Sequence, residues 1–239
     1  MGAWGRGILQ NDTAQDGLVA IAHTVEDGVR ALGHPEDSTT GQLLACIGCL
    51  IQFSPFSLNP ENEFQPTLVE AIRSHVPDPL AFPEVIETLL RNIVSGVPPT
   101  YEMMNFDPRL KRALHGPVPS TFATQKTWAR PPDGCFEHPA ARSFLQGIAD
   151  HCVQLVDEDF ADEEVLKDPV REATAMGALG LLLILDPIHI DAARFDRWHR
   201  SYQSGKPARD PNEASFYRDY DACAEGAFAY GSAKFASGG

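Results

Sequence analysis

The sequence lacks the short motifs that mark the commonest classes of enzyme. It contains no glycine-rich phosphate loop, no Gly-x-Ser-x-Gly nucleophile elbow and no His-Glu-x-x-His zinc motif. Some enzymes carry no short motif, so this absence lowers the expectation of catalysis without abolishing it. We expect no catalytic residue and no cofactor.

Long apolar runs and a secretory signal are missing as well. The longest apolar stretch, residues 175–185, is far shorter than the ~20 residues that a membrane span needs. The amino terminus has no basic region followed by an apolar run, so no secretory signal is predicted. Five cysteines, an odd number, predict reduced thiols rather than a disulfide framework. These absences predict a cytoplasmic protein that does not enter a membrane.

Acidic residues clearly outnumber basic ones. The chain has 33 Asp and Glu against 19 Lys and Arg, which gives a formal charge of −14. Such a charge repels phosphate backbones and anionic lipid, and it attracts basic proteins. We therefore expect a protein partner and no direct binding of nucleic acid or membrane. The alternative interpretation is that the charge serves solubility alone.

Apolar residues recur at helical spacing along most of the chain, and no segment shows sustained strand alternation. The predicted helices cover residues 13–31, 42–53, 66–74, 83–95, 108–114, 139–156, 169–185, 190–202 and 212–230. Residues 157–168 are predicted to form an acidic loop or a frayed helix, and residues 97–132, rich in proline and glycine, a connector. The predicted fold class is all-α, a helical bundle or array.

The two halves of the sequence resemble each other. Three residues recur at one spacing, namely Gly7, Ala14 and Leu18 as Gly134, Ala141 and Leu145; three more recur in the core helices, namely Gly48, Leu50 and Pro55 as Gly180, Leu182 and Pro187. A glycine inside a buried helix costs about 1 kcal/mol against alanine, so Gly48 and Gly180 predict a closely crossing helix. We predict a first helical unit over residues 1–119 and a second, diverged unit over 120–239. Chance similarity of apolar helices is the alternative, and whether the units pack as one body stays open.

The opening residues carry the motif Trp4-Gly5-x-Gly7-x-x-x-Asn11-Asp12-x-Ala14-x-Asp16. This motif resembles the N-terminal signature of a bacterial family, domain of unknown function 4259. The resemblance implies a small, cytoplasmic, helical protein with no established reaction. Leu9 stands where that family usually has an aromatic residue, and His138-Pro139 replaces Asn11-Asp12 in the second half. A helix cap and a packed tryptophan account for the motif without chemistry.

Two groups of residues have the spacing of metal or acid/base sites. Cys46-x-x-Cys49 lies inside an apolar helix and has no second cysteine pair, so we predict two buried packing residues. The second group would suit a metal-dependent hydrolase, and it consists of Asp186, His189, Asp191 and His199. Alternatively, Asp191 caps the following helix, and His199 lies on a basic, partly exposed helix face.

One acidic run is the candidate partner-binding surface. It places six carboxylates around one aromatic residue: Asp157, Glu158, Asp159, Phe160, Asp162, Glu163 and Glu164. The carboxylates would steer a cationic partner, and Phe160 would supply a desolvated anchor. A solvated loop is the alternative interpretation.

The expected function is that of a non-catalytic, cytoplasmic protein-binding module. Its most concrete form is an immunity-type protein that neutralises a bacterial toxin, with a basic toxin domain as the partner. A metal-dependent hydrolase and a structural helical adaptor are the two alternatives. The sequence leaves the oligomeric state open.

Overall fold

The computed structural model describes residues 7–9, 12–76, 78–97, 108–115, 135–136, 138–161, 168–185, 190–206 and 214–236. Within these ranges the chain forms nine α-helices and no strand, which confirms the all-α fold class. The helices are α1 (Asp12–Arg30), α2 (Asp37–Phe53), α3 (Gln65–His75), α4 (Glu84–Val94), α5 (Pro108–His115), α6 (Pro139–Phe160), α7 (Pro169–Leu185), α8 (Ala192–Gly205) and α9 (Ala214–Ala236). Short 3-10 helices cover Pro55–Leu58 and Pro79–Ala81. No helix in the described part combines the length and the apolar character needed to cross a membrane.

The chain divides into two compact units, each assembled from separate segments. One unit contains Met1–Gly17, Phe106–Gln125 and Ala149–Gly239, and the other contains Leu18–Asn105 and Lys126–Ile148. Each unit therefore takes segments from both predicted halves, 1–119 and 120–239. The duplication that would relate those halves stays a prediction.

Helix α7 is the centre of the unit that includes the carboxyl-terminal segment. Every residue from Ala175 to Leu185 is buried, so the helix needs neighbours on all sides. At Gly180, an added Cβ would lie 3.1 to 3.3 Å from the side chains of Leu114, Leu9 and Ile8. The sequence predicted a close approach here, and the structure confirms it. Two parts of the chain make this close approach to Gly180, helix α5 through Leu114 and the short segment through Ile8 and Leu9.

Carbonyl groups at the end of α5 accept hydrogen bonds from that same short segment. The backbone N–H groups of Ile8 and Leu9 donate to the carbonyl oxygens of Ala113 and Leu114 at 3.3 and 3.1 Å. Carbonyls in the last turn of a helix have no partner within the helix, so these bonds complete them. Ile8 and Leu9 are thereby held in the core.

Helix α2 is the centre of the other unit. Leu43, Ile47 and Leu50 are fully buried, and a Cβ at Gly48 would lie 2.6 Å from Cε1 of Phe136. The neighbour of Gly48 is therefore the aromatic ring of Phe136, and the crossing helix that the sequence predicted at this glycine is wrong. Thr40 on α2 donates its hydroxyl to the carbonyl of His75, at 2.7 Å, and so joins α2 to the end of α3.

Candidate functional site

The described part of the acidic run is helical, because α6 extends to Phe160. The Asp157 carboxylate accepts a hydrogen bond from the Trp198 indole N–H at 2.8 Å and lies 3.5 Å from the Arg194 guanidinium. Asp159 accepts from Arg171 at 3.2 Å. Burial raises the pKa of Asp159, and the hydrogen bond and charge of Arg171 act against that rise. Two of the predicted steering carboxylates thus join α6 to α7 and α8.

Phe160 is in the core and not on the surface. Its side chain is 5 % exposed and packs edge-on against Tyr202, with ring centroids 6.4 Å apart. The anchor role predicted for Phe160 is therefore unsupported, because a buried ring offers a partner no surface. Glu158 is exposed and accepts from Gln154 at 2.7 Å. Asp162, Glu163 and Glu164 lie outside the described residues.

The predicted metal group does not come together where the structure describes it. Asp191 caps α8, its carboxylate accepting from the Ala193 N–H at 3.0 Å, as the alternative interpretation predicted. His199 lies two turns further along and directs its Nε2 to Glu225, at 2.6 Å. Asp186 and His189 lie outside the described residues. Within the described ranges, no three His, Cys, Asp or Glu side chains are grouped to hold a metal ion.

The polar cluster around Glu225 joins α8 to α9. One carboxylate oxygen of Glu225 contacts His199 and the other contacts the Lys206 ammonium. The His199 ring also stacks on Phe228, with centroids 4.6 Å apart. Partial burial by itself raises the pKa of Glu225, but the hydrogen bonds and charges of Lys206 and His199 outweigh it, and the pKa is lowered. A carboxylate held on both oxygens and lowered in pKa is a weak general base, so this cluster is better explained as a bridge between helices.

Cys46 and Cys49 are both fully buried in α2, as the sequence predicted. Burial raises the pKa of the Cys46 thiol well above its ordinary range. A reactive cysteine needs a stabilised thiolate and access to solvent. The geometry at Cys46 therefore fits packing and does not fit redox chemistry.

An exposed apolar segment, residues 78–85, leads into α4 and includes its first two residues, and it was not singled out from the sequence. Leu80 is 77 % exposed, and Val85 is 45 % exposed. Only two other large apolar side chains in the described part of the chain are similarly exposed, Val97 and Val170. We call this segment the Leu80 loop. A leucine between two prolines, in a stretch without helical spacing, was the one signal available in the sequence.

The backbone of the Leu80 loop is held by its own hydrogen bonds. The Leu80 N–H donates to the Asp78 carboxylate at 3.1 Å, and the Ala81 N–H donates to the Asp78 carbonyl at 3.1 Å. The Pro83 carbonyl then accepts from Ile86 at 2.8 Å as α4 begins. Ile86 is buried, so the loop is fixed at the point where it enters the core. The exposed leucine is therefore displayed on an ordered turn.

The comparisons with known proteins come to a single result. No protein-family model, no curated protein and no solved structure matches the chain. The resemblance to domain of unknown function 4259 rests on residues 4–16, many of which lie outside the described residues, and it stays a prediction.

Proposed function

We propose that the protein is a non-catalytic protein-binding module and that the Leu80 loop contacts its partner. The observation that carries this proposal is the exposure of Leu80, 77 %, on a turn with satisfied backbone hydrogen bonds. Burying a leucine side chain is favourable by roughly 1.5–3 kcal/mol. A partner that covers Leu80 gains this free energy, which the free protein forgoes.

The fixed backbone of the Leu80 loop also favours binding. A binding segment that is flexible when free loses conformational entropy when it is bound, and this loss weakens the affinity. The Asp78 hydrogen bonds and the start of α4 at Glu84 hold the Leu80 loop in one conformation. Less entropy is then lost on association.

The charge around the loop selects the kind of partner. Asp78 and Glu84 are exposed on either side of Leu80, and the sequence has no Lys or Arg between Arg73 and Arg91. Carboxylates around an apolar anchor suit a partner with an apolar pocket and a basic rim.

The most specific form of the proposal is an immunity-type protein that covers the active surface of a basic toxin domain. Blocking such a surface requires roughly 800 Å² of complementary surface per partner and no catalytic group. The acidic charge of −14 and the exposed anchor support this form.

Photo-crosslinking from position 80 tests the proposal. Benzoylphenylalanine is placed at residue 80 or, as a matched control, at the exposed Val97, in cells of the source organism. We expect a discrete adduct from position 80 alone and its loss when Asp78 and Glu84 are both changed to lysine. Equal adducts from positions 80 and 97, or none from position 80, would contradict the proposal.

Reconstitution then measures the contribution of Leu80. With the purified crosslinked protein, Leu80→Ala should weaken binding by a free energy of about 2 kcal/mol, as a hot-spot residue does. Val170→Ala, at a side chain of 41 % exposure, should bind like the wild type. If the partner is a toxin, wild-type protein restores the growth of cells that produce it, and Leu80→Ala does not. A partner without toxicity would refute the immunity form alone.

A further inference from the structure

A groove runs between α3 and the turn that joins α1 to α2, within one compact unit. Its volume is about 690 Å³, in the range of ligand sites, roughly 300–1,000 Å³. Residues within the range 29–35 form one wall, and a face of α3 that includes Thr67, Glu70, Ala71 and Ser74 forms the other. Spacings of three and four residues place these side chains on one side of α3. At 1.5 Å per residue, this wall extends for about 10 Å.

The floor of the groove is fixed by the His75 ring. His75 is 6 % exposed, and its two ring nitrogens lie 3.0 Å from the Ala71 carbonyl oxygen and 3.2 Å from that of Gly33. The Thr40 hydroxyl donates to the His75 carbonyl as well. Because the His75 ring joins α3 to the opposite wall, the groove exists before a ligand enters, and little entropy is lost in forming it.

The lining suits a side chain that has an apolar stem and a charged end. Val29 and Leu32 on one wall, and Ala71 on the other, are apolar. The Glu70 carboxylate is exposed on the α3 wall, and no described residue forms an ion pair with it. Lysine and arginine place their apolar stems against such surfaces and keep the charged end in water.

The charges around the groove favour a cation over an anion. Within the described lining, the one other Lys, Arg, Asp or Glu is Arg30. Its guanidinium lies 2.7 Å from Asp27 and 3.5 Å from Glu26, so its charge is balanced within the protein. The Glu70 carboxylate therefore decides the local sign, and the formal charge of −14 acts in the same direction.

The groove lies close to the Leu80 loop along the chain. Ser74 and Asp78 are four positions apart, so they are at most about 14 Å from each other. A partner that contributes roughly 800 Å² of interface covers a patch about 30 Å across. A partner centred on the Leu80 loop therefore extends to the Ser74 end of the groove.

We propose that this groove receives a lysine or arginine side chain of the basic partner that covers the Leu80 loop. The stem lies between Leu32 and Ala71, and the charged end meets Glu70. This inference rests on the proposed function for the identity of the partner. The preference of the groove for a cationic side chain is measured without any partner.

Nuclear magnetic resonance with two short peptides tests that preference. Acetyl-Gly-Lys-Gly-amide carries the cation, and acetyl-Gly-norleucine-Gly-amide keeps the same stem without it. We expect the lysine peptide to shift the backbone amide signals of residues 67–75 in a saturable manner. At low salt it should bind about threefold more tightly than the norleucine peptide, and Glu70→Gln should remove this difference.

Further variants separate the groove from general effects. Glu63→Gln makes the same change at an exposed carboxylate outside the lining and should bind both peptides like the wild type. Ala71→Leu narrows the groove and should weaken the binding of both peptides by about threefold or more. If Ala71→Leu loses the helical circular dichroism of the wild type, Thr67→Phe narrows the same groove from an exposed position.

The partner crosslinked from position 80 then tests whether the groove belongs to its interface. Glu70→Gln should weaken that complex by about threefold, and the difference from the wild type should shrink at high salt because exposed ion pairs are screened. Glu63→Gln should leave the affinity unchanged.

Three results would overturn the proposal. The first is a lysine peptide that produces no saturable shifts in residues 67–75. The second is equal affinity of the wild type for both peptides. The third is a partner complex whose affinity does not change in Glu70→Gln. If the peptides bind as expected and position 80 yields no adduct, the cationic preference of the groove is supported and the proposed function fails.

Discussion

Gly231 on α9 occupies a position where a larger residue has no room. A Cβ there would lie 2.8 Å from Cε2 of Phe195 and 2.9 Å from Cδ2 of Leu183. Phe195 is 1 % exposed and packs edge-on against Trp198 and Phe228, with ring centroids 6.1 and 5.6 Å apart, so it cannot move aside freely. Gly147 on α6 has nothing within 4 Å of the same added atom. Two glycines inside helices thus have opposite surroundings.

Replacing each of these glycines by alanine should shift stability in opposite directions. Gly231→Ala overpacks the core and is expected to lower the free energy of unfolding by about 2 kcal/mol. Gly147→Ala gains helix propensity and is expected to raise it by about 0.5–1 kcal/mol. Urea unfolding followed by circular dichroism measures both changes. A Gly231→Ala protein as stable as the wild type would show that Phe195 does not lie so close.

At the scale of elements, α8 and α9 are joined by hydrogen bonds and ion pairs between their polar side chains. Glu225 bridges His199 and Lys206, and the Tyr202 hydroxyl donates to Asp221 at 2.5 Å. The residues of each pair are far apart in the sequence, and a pattern of spacing within one helix cannot show which of them meet.

The contact between α8 and α9 should weaken in acid. Folding lowers the pKa of Glu225 below its ordinary value of 4.5. The ionised Glu225 carboxylate therefore contributes its full share to the free energy of unfolding above pH 4.5. This contribution is lost as the pH falls through the lowered pKa. Glu225→Gln should therefore destabilise the protein near neutral pH, and the difference from wild type should shrink in acid.

Urea midpoints between neutral pH and about pH 3 test this dependence. Glu70→Gln, at an exposed carboxylate on α3, is the control and should follow the wild type at each pH. A difference between Glu225→Gln and wild type that grows in acid would contradict the assigned direction of the pKa shift.

Most helices could be predicted from the sequence because their boundaries are encoded locally. Helix α7 begins at Pro169 and ends at Leu185, as predicted, since a proline suits the first turn of a helix and the sequence Asp-Pro after Leu185 predicts a helix end. Helix α2 begins at Asp37, earlier than predicted, because the Glu36 N–H is bound by Thr39 at 2.8 Å.

The candidate sites were less predictable for a physical reason. The acidic run has the composition of a binding surface. Whether its side chains are exposed depends on contacts with residues that are distant in the sequence, namely those of Asp157 with Trp198, Asp159 with Arg171 and Phe160 with Tyr202. Exposure of Leu80 likewise depends on which neighbours pack around it. Local chemistry indicates what a residue can do, and the fold decides whether it is available.

At the scale of the whole molecule, the five cysteines are buried in both units. Cys46, Cys49 and Cys135 belong to one unit, while Cys152 and Cys223 belong to the other. Burial raises the pKa of Cys135 and of Cys152 to about 12. Their thiolates are therefore scarce at neutral pH as well as inaccessible.

The folded protein should accordingly resist alkylation. We expect iodoacetamide to modify none of the five thiols within minutes under native conditions and to modify all of them in concentrated urea. Mass spectrometry of proteolytic fragments identifies each modified site. Rapid labelling of native Cys46 or Cys49 would contradict their assignment as packing residues, and labelling at intermediate urea would report which unit opens first.

The interleaved arrangement of the two units has a consequence for synthesis of the chain. All residues of the unit built on α2 have been made once Ile148 is added, whereas the unit built on α7 still lacks α7, α8 and α9. Until α7, α8 and α9 have been synthesised, the helices that cover Ile8, Leu9 and α5 are absent from the nascent chain. We expect the apolar side chains of Ile8, Leu9 and α5 to be accessible to chaperones during that interval, and we expect the unit built on α2 to fold first.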